Sequence, residues 1–231
     1  TELGNIYKTM FRLAVKVARK AEKCYHFEIG DTELGKETQF IKGTGSYWNG
    51  LSSGLLAGEA LLSDLHAMEV AYLDNDRLEQ EITVPVSLKE IDPIALRNLQ
   101  VNGSCKFRVP EVYFDMRFPG HYFRRIRDVQ LEIQNSVSLP PTSISANLTL
   151  ESNKLYLERT STTPVVIENR IGVQNKADSL AQAKDDVFNF NLKNDKYPAF
   201  EGSGVDSTWN LSLPVFQTFD YESIKDVILH I

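Results

Sequence analysis

The residues that could do chemistry are few and scattered. There are 4 histidines, His26, His66, His121 and His230. No two are close in sequence, and none sits at the short spacing by which imidazoles share a zinc ion. Each reads as a structural histidine, with His66 beside an apolar stripe and His230 pointing outward on an alternating segment. The 2 cysteines, Cys24 and Cys105, lack partners at metal-ligand spacing and read as buried thiols in different domains. Ser203 lies in Glu201-Gly-Ser-Gly204, which is not the G-x-S-x-G elbow of a hydrolase. Those glycines fit a tight bend ahead of a strand around Trp209. Glu201 has no second carboxylate that sequence can assign to it for acid–base work. Gly30-Asp-Thr-Glu-Leu-Gly35-Lys36 matches the opening of a phosphate-binding loop, but Glu37 stands where a hydroxyl must hold magnesium. Arg124, Arg125 and Arg127 are the densest positive cluster; Asp115 and Asp128 flank them, so internal pairing is expected. No catalytic residue, cofactor or metal is expected.

The elements that would position a site are clearer. The chain has 231 residues, 42% hydrophobic and 24% charged, the balance of a globular protein with one large or two modest domains. A net charge of −6 argues against a nucleic-acid partner. The expected class is α+β, a long helical hairpin over residues 1–81 followed by an antiparallel β-sandwich over 82–231. In the first helix, to about Glu28, Ile6, Met10, Leu13, Val17, Ala21 and Cys24 form one stripe. Tyr7, Phe11, Ala14, Ala18 and Tyr25 form a second, so a wide buried face is predicted. The spacing predicts one long second helix from Tyr47 to Glu81, carrying Trp48, with Leu51, Leu55, Gly58, Leu62, Leu65 and Tyr72 on its inner side and Leu61 and Met68 widening it. Asp64 falls on its solvent side. Its apolar run is too short to span a membrane, and Glu59 interrupts it.

At Ile82 the period changes from 3.6 to 2. Pro85 marks an edge strand. Asp92-Pro93 opens a short helix that Gly103 ends. Strands are predicted around Cys105–Val109, Val112–Phe118, Val129–Ile133, Ile144–Leu150, Leu155–Leu157, Phe188–Leu192, Trp209–Leu213 and Val227–Ile231. Arg159–Asp186 reads as a polar excursion with at most a short strand at Val165–Ile167 and a helical turn at Ser179–Lys184. A start without Met and an end inside an apolar strand suggest a piece of something longer.

Several blocks go further. Ala18-Arg-Lys-Ala-Glu22, Trp48-Asn-Gly-Leu51 through Glu59, Asp92-Pro-Ile-Ala-Leu96, Phe118-Pro-Gly-His-Tyr-Phe-Arg-Arg-Ile126, Phe200-Glu-Gly-Ser-Gly204 and Asp226-Val-Ile-Leu-His230 occur in order. Together they resemble the C-terminal TcB-binding region of the TcA subunits of Tc (ABC) toxin complexes. That resemblance implies a non-enzymatic docking module of a pentameric pore-forming translocator, secreted and acting at the host-cell membrane. The implied partner is the β-propeller of TcB in the TcB–TcC cocoon. A broad propeller face would be met by loops at one end of the sandwich. The candidates are the Ser138–Thr142 turn, the Arg159–Asp186 excursion with Lys176, Lys184 and Asp186, and the turn with Lys193 and Tyr197. A carbohydrate-binding sandwich for host-surface glycans is the alternative. It would need exposed aromatic platforms, and Trp48 and Trp209 are both more easily placed in cores.

Overall fold

The computed structural model describes residues 2–30, 38–49, 53–75, 78–136, 143–157, 165–167, 176–184, 187–191, 199–213 and 220–231. The chain divides into two compact units, Thr1–Gln80 and Glu81–Ile231.

In the first unit, helix α1 spans Glu2–Ile29. No proline interrupts it. Gly30, at φ 78°, ends it, and its N–H donates to the His26 carbonyl at 2.8 Å. Phe11, Val15, Ala18 and Tyr25 are buried on one side. Ile6, Met10, Leu13 and Val17 are exposed, as is Cys24, so neither the first stripe nor that thiol is buried as expected. The long second helix is also corrected. A single turn, α2 (Thr44–Tyr47), is separated from helix α3 (Leu55–Asn75), and Trp48 lies between them. Gly54 takes φ 62°, a left-handed conformation that interrupts a helix at the residue before α3. The inner face of α3 is Ala57 and Leu61, with Leu65 and Met68 half-buried, while the predicted Leu55 and Leu62 are exposed. Apolar residues lie on several sides of α3, so their spacing does not select one face. Asp64 turns inward and accepts the Tyr47 hydroxyl at 2.6 Å.

The two long helices run in the same direction, not as a hairpin. Phe11 packs on Trp48 at 5.5 Å between ring centroids, and Tyr25 on Tyr72 at 6.4 Å. Residues 38–49 return along α1 between them. Buried Glu22 fixes that return by accepting the Phe40 and Ile41 N–H groups at 2.6 and 2.8 Å. Such charge-assisted bonds contribute about 1.5–3 kcal/mol each.

Among the described residues the second unit has nine strands: β1 (Pro85–Ser87), β2 (Ser104–Val109), β3 (Gln130–Asn135), β4 (Ser143–Leu155), β5 (Val165–Ile167), β6 (Lys176–Lys184), β7 (Val187–Asn191), β8 (Asp206–Ser212) and β9 (Ile224–His230). Their order is β1-β9-β3-β7-β6-β4-β8-β2, with β5 beside β4, and every pairing is antiparallel. Alternate residues such as Phe107, Leu131, Leu148, Phe188, Trp209 and Val227 fill one continuous core. Helices α4 (Leu88–Ile91), α5 (Pro93–Asn102) and α6 (Glu111–Arg117) complete the unit. Asp92 caps α5 as expected, accepting Ala95 N–H at 2.9 Å, and Gly103 ends it at φ 69°.

Two segments differ in type. Val112–Phe118 is not a strand but includes α6, which follows Pro110 and carries Glu111 in its first turn and Arg117 in its last. Tyr113 and Phe114 are adjacent and both buried, which alternation cannot provide. Ser179–Lys184 is not a helical turn but belongs to β6, which pairs with β4 over Ser143–Thr149 and with β7 at its end. The weak polar period of β6 hid a strand paired on both sides. Leu155 is no separate strand; β4 continues through it.

The Phe200–Gly204 bend precedes β8 as expected. Phe200 and Gly202 have positive φ, and Gly204 N–H donates to Asn153 Oδ1 at 2.9 Å. A Cβ on Gly204 would sit 1.9 Å from the Lys154 carbonyl oxygen. Backbone, not a side-chain tip, would have to move. Gly204→Ala is therefore expected to cost about 2–4 kcal/mol in urea unfolding of this chain, against about 1 kcal/mol for removing the cap in Asp92→Ala. Equal, small costs would contradict this packing.

Candidate partner-docking surfaces

The residues singled out from sequence do not form one cluster. Lys176 and Lys184 begin and end β6, opposite Thr149 and Val187. Asp186, Lys193 and Tyr197, like residues 138–142, lie outside the described residues. Register nonetheless sorts the connections. Ser143 pairs with Gln182, and Gln134 and Lys184 both pair with Val187. Gln134, Ser143, Lys184 and Val187 thus share one end of the sheet. Asn191 pairs with Gln130 at the opposite end. The excursion is no free loop, because its β6 part is interior to the sheet order.

The charged groups of the second unit pair largely with one another, although Arg124 Nε is buried without a hydrogen-bond partner. Arg108 Nε and Nη2 donate to Asp206 Oδ1 at 3.1 and 3.0 Å, and Nη2 also reaches Oδ2 at 3.0 Å. The Asp206 side chain is 3% exposed and that of Arg108 55%, so the guanidinium reaches inward from the surface. Tyr156 donates to Asp206 Oδ2 at 3.2 Å. Burial, and then the Asp206 charge, raise the Tyr156 phenol above its ordinary range. Sequence reading missed this triad because its members are far apart in the chain. Arg124 pairs with Glu111, with Asp115 at 2.7 Å, and with the Phe118 carbonyl at 3.0 Å. Arg127 pairs with Glu81, and Arg125 lies over the Phe123 ring at 4.8 Å. The expected internal pairing holds for Arg124 with Asp115. Burial pushes the Cys105 thiol up to about 12, helped by the Asp92 charge. Among the described residues, no group of three His, Cys, Asp or Glu could hold a metal ion, and no helix is long and apolar enough to cross a membrane.

Apolar surface is where the units are incomplete. Among the second-unit residues whose side chains are described, the exposed large hydrophobics are Ile94 and Val101 on α5, Val112 and Met116 on α6, and Tyr122. In the first, α1 and α3 each leave a row exposed, and a groove of about 350 Å³ between them is lined by Cys24, Tyr25, Met68 and Tyr72. Trp209 is fully buried and Trp48 half-buried, so neither offers an exposed ring to a sugar.

Over residues 1–231 the chain matches the family described as the Tc toxin complex TcA C-terminal TcB-binding domain. It belongs to that family. Toxin subunit YenA2 of Yersinia entomophaga is 30% identical over 250 residues, covering 100% of this chain and 18% of that protein. The cryo-EM structure of Morganella morganii TcdA4 superposes with a TM-score of 0.63 at 22% identity, over 99% of this chain and 10% of that one. The chain therefore spans under a fifth of the length of these relatives. As a TcA C-terminal region, it joins helices to an antiparallel sheet, the α+β class expected from sequence.

Glu111 gives this TcA region a measurable pH signature. Burial raises its carboxyl, and the Arg124 charge opposes that rise without cancelling it. An acid with a raised folded pKa binds its proton more tightly folded than unfolded, so its contribution is full at low pH and lost as pH rises through the folded pKa. The stability of the wild type relative to Glu111→Gln should thus increase as pH falls from neutral through the carboxylate range. Paired urea titrations check this; a difference that stays flat or shrinks would show that Arg124 dominates.

Proposed function

We propose that this chain is a non-enzymatic assembly module of a toxin translocation subunit. Its second unit, Glu81–Ile231, docks a TcB subunit. Its first unit, Thr1–Gln80, packs against further copies of the same chain. The whole-chain family match carries this reading. The nine-stranded path folds on itself as a sandwich, since strands from both halves of the order contribute to one core. The subunit works outside the producing cell, where it brings the TcB–TcC cocoon to the channel mouth. The β-propeller that the resemblance assigns to TcB meets the sheet end carrying Lys184, Asp186 and the 138–142 connection. Antiparallel register supports that choice, because it puts Lys184 beside Gln134, Ser143 and Val187 and Lys176 at the other end of β6.

Two measurements test it in the full-length subunit. Removing residues 81–231 should abolish capture of the cognate TcB, and retained capture would overturn the docking role. Lys184→Glu should slow association by about three- to tenfold at low salt and less at high salt, with melting unchanged, because rim charges act on encounter. An unchanged on-rate would remove that end of the sheet from the interface.

A further inference from the structure

Helix α5 has one side in the core and one side open. Ala95, Leu96 and Leu99 are buried. Ile94 and Val101 are large and apolar, yet 73% and 60% exposed. Arg97 lies between them and is exposed too. Spacings of three and four residues put Ile94, Arg97 and Val101 on one side of the helix. Arg97 Nη1 donates to Gln100 Oε1 at 3.3 Å, which lays the guanidinium along that stripe.

Hydrogen bonds tie the last turn of α5 to the sheet end that carries Lys184. Gln134 pairs with Val187 and with Asp226, and Asn135 next to it pairs with Ile224. The Ile224 carbonyl accepts Gln100 Nε2 at 2.7 Å. Leu213 N–H donates to the Gly103 carbonyl at 2.8 Å, one step past the Ser104–Ser212 pair. Asn147 also pairs with Ser212, so Ser143 lies further out at this same end. From Lys184 to β9 there are three strand steps, through β7 and β3, or about 14 Å. Helix α6 belongs to the opposite end. Its Tyr113 and Arg117 donate to the Pro85 carbonyl, and Pro85 pairs with His230, which pairs with Gln130.

We propose that the Ile94–Arg97–Val101 side of α5 is the apolar anchor of the TcB contact, with Lys184 on its rim. This rests on the TcB-docking reading above and adds which side chains hold the partner once it has been met. The matching surface on TcB is apolar, with a carboxylate set against Arg97. A stable interface needs a desolvated apolar centre, and charges at its rim contribute little to holding it. Register supplies the reason for choosing α5. It brings Val101 to the end that carries Lys184 and takes α6, with Val112 and Met116, to the other. The distance from Lys184 to β9 fits within one docking patch of about 800 Å².

The test measures association and dissociation of the full-length subunit with its cognate TcB. Val101→Lys puts a cation in the last turn of α5, where the helix favours one, so melting should not fall. Dissociation should rise about tenfold with little change in the on-rate, the reverse of Lys184→Glu. Met116→Lys makes the same change in the last turn of α6 and should leave both rates alone. Ile94→Glu, in a first turn that favours an anion, is the second variant and decides the matter if Val101→Lys lowers melting. Arg97→Glu should also speed dissociation, more at low salt than at high; no salt dependence overturns the carboxylate. Dissociation unchanged in Val101→Lys and Ile94→Glu overturns the anchor. If the wild type still captures TcB and loses it on removal of residues 81–231, the docking reading stands. A wild type that captures no TcB overturns both. Loss of self-assembly by native mass spectrometry, with TcB dissociation unchanged, would give this side of α5 to a second copy and also overturn the anchor.

Discussion

An open antiparallel sheet has two edges, and each exposes a row of backbone groups. In the Glu81–Ile231 unit the main path of the sheet ends at β1 and β2, with β5 beside β4 off that path. The helices between and after them answer that constraint. Tyr113 and Arg117 of α6 both donate to the Pro85 carbonyl at 3.0 Å, satisfying the edge of β1. Asp226 of β9 accepts Ser87 Oγ, the Lys89 N–H at 3.0 Å and its own neighbour Val227 N–H at 2.7 Å, holding the β1–α4 corner. On β2, Lys106 pairs with Glu151 and Arg108 with Asp206, so its outward side is charged. Edges guarded in this way are poor templates for strand addition.

The Thr1–Gln80 unit meets the opposite difficulty. It has too few elements to cover its apolar surface. Its core is small, Phe11, Val15, Ala18, Ile41, Tyr47, Ala57 and Leu61, held by Glu22 and by the Tyr47–Asp64 bond. Burial and the hydrogen bond to Asp64 push the Tyr47 phenol up to about 12, so that bond persists throughout the neutral range. The remaining apolar rows on α1 and α3 are extensive for a single subunit and call for other surfaces to cover them.

Sequence reading succeeded where a local rule has one outcome. Asp92-Pro93 and Gly103 bounded α5, Pro85 placed an edge strand, and the Phe200–Gly204 bend preceded β8. Alternation found the core positions of β2, β3, β4, β7, β8 and β9. It failed where the decisive partner is distant. α6 reads as a strand until Tyr113 and Phe114 are both seen to face the core. β6 lacks an apolar period, and its neighbours β4 and β7 define it. α3 is apolar on several sides, so spacing places Leu61, Leu65, Met68 and Tyr72 inward correctly but also turns Leu55 and Leu62 inward and Asp64 outward, against the structure. The Arg108–Asp206–Tyr156 triad draws on three separate strand regions. The family resemblance, carried by ordered short blocks, survived these errors because it depends on residue identity, not on period.

Hydrogen–deuterium exchange of the full-length subunit, with and without TcB, tests the division of labour most directly. New protection on adding TcB should fall within residues 81–231, concentrated at the sheet end of Gln134, Ser143, Lys184 and Val187. Residues 1–80 should already be protected in the oligomer alone, along α1 and α3, and should change little. Protection by TcB confined to residues 1–80, with 81–231 unaffected, would contradict the account.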